Sequence, residues 1–111
     1  MQRLSNDAYT TSDLSRADVD AMTGPVVLEF GTSWCGVCRA TQPAIASAFA
    51  GHRDVQHWKI EDGPGRRLGR SFGVKLWPTL VFLRDGVEVT RLVRPRDAAT
   101  IADALARIDP A

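Results

Sequence analysis

The stretch SWCGVCR, residues 33–39, contains both cysteines of the 111-residue chain, Cys35 and Cys38. It follows the apolar, β-forming run VVLEF (26–30) and precedes ATQPAIASAFA (40–50), whose alanine and isoleucine content predicts a helix. The Cys-x-x-Cys pair is therefore predicted to lie where a strand ends and a helix begins. That placement indicates a redox motif.

The chemistry of a helix start supports this interpretation. Its first backbone N–H groups are unpaired and carry partial positive charge, which stabilises a thiolate. Cys35, at the exposed end, is predicted to attack, and Cys38, about one turn later on the same face, to resolve the mixed disulfide. Gly36 leaves room for a substrate chain, and Trp34 is predicted to flank the nucleophile.

Three other interpretations of the cysteine pair stay open. A zinc site needs further Cys or His ligands at suitable spacing, whereas His52 and His57 lie well downstream, so no metal is predicted. A permanent structural disulfide needs an oxidising compartment and would close almost no loop here. Two inert buried cysteines are the third alternative, although the glycine beside Cys35 favours access.

The composition is that of one globular domain spanning residues 1–111, with residues 1–8 as a loose N-terminal segment. Hydrophobic residues make up 44% and charged residues 24%, and the net charge is +1. This balance argues against a nucleic-acid or membrane-surface partner, and no apolar run is long enough to span a bilayer. The N-terminus lacks an apolar signal core, so a cytoplasmic location is expected. The protein is also expected to be a monomer.

The pattern along the chain predicts an α/β fold with a central mixed β-sheet and helices on both faces. The expected elements, in order, are a helix from a Ser12 cap to Met22, a strand at 26–31, a helix at 35–50 containing Pro43, a strand at 55–61, a short helix at 64–72 ended by Gly73, a strand at 79–83, an Asp85-Gly86 hairpin, a strand at 87–93 and a helix capped by Asp97. A short strand is also expected near Tyr9.

Taken together, these motifs make the sequence resemble the thioredoxin family over about residues 9–109. The segments that match the family in order and nearly in spacing are Trp34-Cys35-Gly36-Val37-Cys38, Pro43, Phe72-Gly73-Val74, Trp77-Pro78-Thr79 and the Asp85-Gly86 hairpin. The resemblance implies a thioredoxin fold.

The resemblance also implies roles for individual residues. Cys35 and Cys38 would form the redox-active disulfide, with Cys35 as nucleophile and Cys38 as resolving thiol. Pro78 would be a cis-proline facing the pair, and the backbone of Trp77 would pair with a substrate strand. Glu29 matches a buried carboxylate of the family and would act as general base for Cys38.

Glu29 lies in an otherwise apolar strand, so without a partner its pKa is expected to rise. Lys59 is expected to place an ammonium beside it. His52 and His57 are expected at the surface, and Trp58 in the core.

Three features depart from the family pattern. Val37 stands where thioredoxins usually have proline, so the redox potential cannot be transferred. Gly31 and Thr32-Ser33 replace a more usual bulky or acidic segment before the tryptophan and are expected to open that side of the site. Arg94 replaces a glycine of the substrate groove. One hypothesis is that Arg94, with Arg39, Lys75 and the arginines of the third helix, forms a basic rim that favours acidic protein segments; the alternative is ordinary solvated surface charge.

The expected function is thiol–disulfide exchange with protein substrates, as a reductant supplied by a thioredoxin-reductase-like electron donor. No cofactor is expected, since the dithiol is itself the redox centre. The predicted substrate-binding residues are Trp34, Gly36, Val37, Trp77, Pro78 and Arg94. The alternatives are a thioredoxin-like binding or assembly module, and a dedicated oxidant or isomerase of less reducing potential.

Overall fold

The computed structural model describes residues 8–110, so the first seven residues of the predicted loose segment lie outside the described part. Helices and strands follow each other in the predicted order. They are α1 (Arg16–Asp20), β1 (Pro25–Gly31), α2 (Gly36–Phe49), β2 (Gln56–Glu61), α3 (Arg67–Ser71), β3 (Thr79–Arg84), β4 (Val87–Val93) and α4 (Ala98–Ile108). Within residues 8–110, no helix has the length and apolar character needed to cross a membrane.

The four strands form one mixed sheet in the order β2-β1-β3-β4. β1 and β2 are parallel, so a crossover must connect them, and α2 supplies it. The other neighbouring strands are antiparallel. Beside β2, Thr10 forms a parallel bridge with Ile60, and this is the one pair that residues 8–110 show of the strand expected near Tyr9.

Apolar residues fill a layer on each face of the sheet, as predicted for an α/β fold. One layer lies against α2 and α4 and contains Val27, Ile45, Phe49, Val55, Leu80, Phe82, Ile101, Leu105 and Ile108. The other lies against α1 and α3 and contains Val19, Val26, Leu28, Phe30, Ile60, Leu68, Phe72, Val81 and Leu83. Alternate residues of β1 face opposite layers, since Val27 belongs to the first and Val26 and Leu28 to the second. Trp58, which was expected in the core, is only partly buried against the second layer.

Two predicted helices are shorter than expected. α1 begins after Ser15, which forms a reciprocal capping box with Asp18, whereas the Ser12 hydroxyl accepts the N–H of Leu14 in the preceding turn. α3 begins at Arg67 because Gly63 and Gly65, with φ of 133° and 79°, form a turn that no helix can include.

Other local predictions are confirmed. The Trp77–Pro78 peptide bond is cis. Asp85 and Gly86 form the hairpin with φ of 51° and 80°, as a tight two-residue turn requires. Asp97 caps α4 by accepting the Thr100 N–H at 2.7 Å.

Candidate active site

The two cysteines lie at the start of α2, where the sequence places them. Cys35 is the N-cap residue, and its Sγ accepts the backbone N–H of Cys38 at 3.2 Å. Both are free thiols; Cys35 is 8% exposed, whereas Cys38 is fully buried. Cys35 is less exposed than predicted, yet it remains the more accessible sulfur of the pair.

The two thiols differ in how readily they can lose a proton. Burial, followed by the hydrogen bond with Cys35, raises the pKa of the Cys38 thiol to about 12. Cys38 therefore stays protonated at neutral pH, and it needs a proton acceptor before its sulfur can attack.

Glu29 is buried beneath the cysteines, as predicted, but it is not alone. His57 Nε2 lies 2.7 Å from its Oε1, while Gln42 Nε2 donates to Oε2 at 2.9 Å and the Tyr9 hydroxyl donates to the same oxygen. Burial raises the pKa of this carboxyl, but the hydrogen bond and charge of His57 and the hydrogen bonds of Gln42 and Tyr9 outweigh burial. The predicted rise is therefore wrong: the pKa lies below its ordinary value, and Glu29 is ionised at neutral pH.

Lys59 acts on the carboxylate through Gln42. Its Nζ donates to Gln42 Oε1 at 2.5 Å, and this bond orients the amide so that Nε2 faces Glu29 and the Cys38 carbonyl oxygen, which is 2.9 Å away. The predicted ammonium is thus in the network, but Gln42 separates it from the carboxylate.

His57 is the main site residue that the sequence interpretation missed. It was expected at the surface, yet it is 2% exposed and stacks on Phe49 with ring centroids 4.1 Å apart. The β-alternation placed it on the same side as Val55 and Lys59, and that side faces α2. His52 also differs from expectation, since its ring is partly buried and lies 2.7 Å from Asp109 Oδ2.

Gly31 does not open the site, contrary to prediction, because Tyr9 occupies the space. A Cβ atom at position 31 would lie 2.7 Å from Cys38 Sγ and 2.8 Å from Cζ of Tyr9. The tyrosine ring and the resolving sulfur therefore pack directly over the glycine. The missing side chain at position 31 is what lets this ring reach the cysteines.

Aromatic and aliphatic side chains surround the cysteine pair. Trp34 is 74% exposed and meets Trp77 edge to face at 5.6 Å, and the indole N–H of Trp77 donates to Asp62 at 2.9 Å. Val37 is exposed as well, and the space above Gly36 is open. The predicted substrate-binding residues of this segment thus lie together at one exposed surface.

Arg94 lies beside the cis-proline in a conformation that favours glycine, with φ of 53°. Its N–H donates to the Pro78 carbonyl oxygen at 2.9 Å, and its Nε donates to the Trp77 carbonyl oxygen at 2.8 Å. The carbonyl expected to meet a substrate strand is therefore bonded to a guanidinium.

The basic rim is uneven. Arg66 is paired with Glu61 at 3.0 Å and contributes little net charge. Arg94 and Arg96 line one side of a groove that Val37 and Thr41 complete.

Within residues 8–110, no three His, Cys, Asp or Glu side chains are grouped closely enough to hold a metal ion.

Comparison with known proteins identifies one family. The thioredoxin family model matches residues 8–107. The solved structure of reduced thioredoxin 2 from Pseudomonas aeruginosa is similar over 96% of this chain and 98% of that one, with 50% identity and a TM-score of 0.85.

Curated relatives are more distant. A thioredoxin from Chlamydia caviae is 33% identical over 75 residues, which are 68% of this chain and 74% of that protein. Thioredoxin H-type 1 from Nicotiana tabacum is 35% identical over 68 residues, which are 61% of this chain and 54% of the relative. The match thus spans about half the length of such plant relatives.

Proposed function

Since the chain belongs to the thioredoxin family, whose members are thiol–disulfide oxidoreductases, we propose that it reduces disulfide bonds of protein substrates through Cys35 and Cys38. One observation is central to this proposal: the Cys35 sulfur accepts the backbone N–H of Cys38 at the first turn of α2. This bond fixes the Cys35 sulfur at the helix start, where backbone N–H groups point toward a sulfur that must carry negative charge during the exchange.

The reaction divides between the two sulfurs. The Cys35 thiolate attacks one substrate sulfur, forms a mixed disulfide and releases the other substrate sulfur as a thiolate. Cys38 then loses its proton, with Glu29 as acceptor, and attacks Cys35. The Cys35–Cys38 disulfide forms, the second substrate thiolate leaves, and two electrons have passed to the substrate. The low pKa of Glu29 keeps it ionised for this role but makes it a weaker base than a lone buried carboxylate.

The exposed surface around the pair supports a protein as the substrate. Trp34 and Val37, which flank Cys35 and Cys38 in the chain, are 74% and 39% exposed, and Leu76, next to Trp77 in the chain, is 50% exposed. Trp77 and Pro78 lie next to this surface, with Gly36 giving room for a backbone.

Arg94 is proposed to select substrates with an acidic residue near the disulfide. Its guanidinium donates to the Trp77 carbonyl oxygen, which we propose pairs with a substrate strand. Arg94 shares its groove with Arg96, and none of the residues lining that groove is acidic. An approaching carboxylate can pair with the guanidinium and free the Trp77 carbonyl for a substrate N–H.

Reduction as the net direction requires a supply of electrons and a reducing compartment. We place the protein in the cytoplasm as a monomer, with a thioredoxin-reductase-like electron donor and no bound cofactor. The absence of an acidic or basic excess in the sequence, with a net charge of +1, gives no support for a nucleic-acid or membrane partner.

The test combines turnover with trapping. The wild-type protein should reduce a protein disulfide with dithiothreitol as electron source, Cys35→Ser should be inactive, and Cys38→Ser should accumulate a mixed disulfide detectable by mass spectrometry. A binding module would instead retain its partner, and show no turnover, whether or not both cysteines are serine. Equilibration with glutathione gives the direction: a potential of about −270 mV fits a reductase, and about −120 to −180 mV fits an oxidant or isomerase.

The Arg94 proposal has its own control. Arg94→Glu should lower kcat/KM for an acidic peptide disulfide more than for a basic one, and the difference should shrink at high salt. Arg53→Glu makes the same charge change before β2, at the end of the sheet away from the cysteines, and should leave the ranking unchanged. An unchanged ranking in Arg94→Glu would refute selection by this residue.

A further inference from the structure

The Tyr9 hydroxyl lies between the two groups that must exchange a proton in the resolving step. It donates a hydrogen bond to Glu29 Oε2, and the tyrosine ring packs in one buried cluster with Cys35 and Cys38. The ring and the Cys38 sulfur converge over Gly31, at 2.8 Å and 2.7 Å from the same Cβ position. The tyrosine thus contacts both the base and the reacting sulfur.

Glu29 has no comparable contact of its own with the sulfur. Among residues 8–110, the hydrogen bonds of its carboxylate go to Tyr9, Gln42 and His57. Gln42 reaches the carbonyl oxygen of Cys38 and not its sulfur, and His57 lies on the other carboxylate oxygen. The direct route from thiol to carboxylate therefore passes through the phenol.

We propose that Tyr9 transfers the proton of Cys38 to Glu29 when the mixed disulfide is resolved, an inference that rests on the proposed function. The thiol proton moves to the phenol oxygen while the phenol proton moves to Glu29 Oε2. Cys38 becomes a thiolate, Tyr9 stays neutral and Glu29 becomes a carboxylic acid. The thiolate then attacks Cys35, the Cys35–Cys38 bond forms, and the bond from Cys35 to the substrate sulfur breaks.

The surroundings of the phenol favour a relay over an ionised tyrosine. Burial, then the charge of Glu29, raises the pKa of Tyr9 well above its ordinary value, so a free phenolate is not an intermediate. The titratable groups that face the hydroxyl and its acceptor are Glu29 on β1, His57 and Lys59 on β2, and Cys38 with Cys35 at the start of α2. Gln42 holds the hydroxyl from α2 by donating to it at 3.2 Å.

The experiment follows both sulfurs in one trace. The reduced protein is mixed with the aromatic disulfide dithiobis-nitrobenzoate, which releases one coloured thiolate when Cys35 attacks and a second when Cys38 resolves the mixed disulfide. Tyr9→Phe keeps the ring and removes only the hydroxyl. The first phase should be unchanged, and the second should slow about a hundredfold at neutral pH, the usual contribution of a positioned proton-transfer group.

The pH profile separates proton transfer from structure. In Tyr9→Phe the second phase should rise about tenfold per pH unit, because hydroxide must ionise Cys38, whereas the wild-type rate should level off near neutral pH. Glu29→Gln should behave alike, and the double variant should be no slower than either single one. Thr10→Val, which removes a neighbouring hydroxyl bonded to Lys59 O at 3.5 Å, is the matched control and should leave both phases unchanged.

The possible results are distinct. A second phase in Tyr9→Phe as fast as wild type, or slower with the wild-type pH profile, would overturn the relay while leaving disulfide exchange intact. A wild-type protein that shows no first phase would instead overturn the proposed function itself.

Discussion

Replacing His57 by phenylalanine removes the group that keeps Glu29 ionised in the protein interior. Phenylalanine retains an aromatic ring to stack on Phe49 and lacks the nitrogen 2.7 Å from Glu29 Oε1. The carboxylate, which is fully buried, then loses its strongest compensation for lost hydration. Removing the hydrogen-bond partner of a buried carboxylate leaves its charge uncompensated and costs about 3–5 kcal/mol of the free energy of unfolding, and we expect this loss at pH 7.

A double-mutant cycle isolates the electrostatic part of that loss. In the Glu29→Gln background no charge is stranded, so His57→Phe should remove only a neutral hydrogen bond, about 1 kcal/mol. The difference gives a coupling of about 2–4 kcal/mol. Urea unfolding of the four proteins, followed by circular dichroism, measures it. A coupling below about 0.5 kcal/mol would refute the conclusion that the imidazole stabilises the carboxylate.

The free energy of unfolding should depend on pH in opposite directions in the wild type and in His57→Phe. In the wild type the pKa of Glu29 is lowered, so its stabilisation is present above the pKa of an unfolded carboxyl and is lost as the pH falls through the folded value. In His57→Phe the imidazole no longer offsets burial, so the pKa of Glu29 is expected to rise. Acid then protonates the buried carboxylate and removes its uncompensated charge. Stability of the variant should therefore rise as the pH falls from 8 to 5, by at most about 1.4 kcal/mol per unit. Parallel curves would contradict this reasoning.

Two further predictions concern the scaffold. Gly86→Ala should lower the free energy of unfolding by about 1–3 kcal/mol, because a Cβ at position 86 would lie 2.1 Å from Asp20 O and φ is 80°. Gly51→Ala is the control, since its Cβ would meet open space and should cost no such loss. Equal stabilities of the two variants in urea unfolding would contradict the contact between position 86 and Asp20. Hydrogen bonds from the Thr100 backbone, then from its side chain, hold the pKa of Asp97 below its ordinary value. The ionised cap should therefore protect the α4 amides from exchange above the pKa of an unfolded carboxyl. That protection should be lost as the pH falls through the pKa of Asp97 in the folded protein. Amide exchange across that range measures this, and protection independent of pH would refute it.

The features that could be predicted from the sequence are those set by neighbouring residues. The cysteine pair at a helix start, the Asp85-Gly86 turn and the Asp97 cap each depend on a few adjacent positions, and the structure has all three. The cis Trp77–Pro78 bond came from the family resemblance. The lengths of α1 and α3 were overestimated because two serines compete to cap the first helix, and because glycines on both sides of Pro64 adopt positive φ.

The environment of Glu29 could not be predicted in the same way, because it depends on strand register and on the N-terminal segment. His57 reaches the carboxylate because β2 pairs with β1 in parallel, with Val27 opposite His57 and Glu29 opposite Lys59. Local pattern indicates that these residues alternate, but not which strand lies beside them. The burial of Glu29 was therefore predicted correctly and the direction of its pKa shift was not.

The contact between Gly31 and Tyr9 links two positions that are far apart in the sequence but fill one volume. A side chain at position 31 would need the space of the tyrosine ring, since its Cβ would already lie 2.8 Å from Cζ. Natural variation at these two positions should therefore be reciprocal, with a bulky residue at one and a small residue at the other. Redesign of this corner of the core would have to exchange both residues together, because either single change passes through an overfilled or an emptied site.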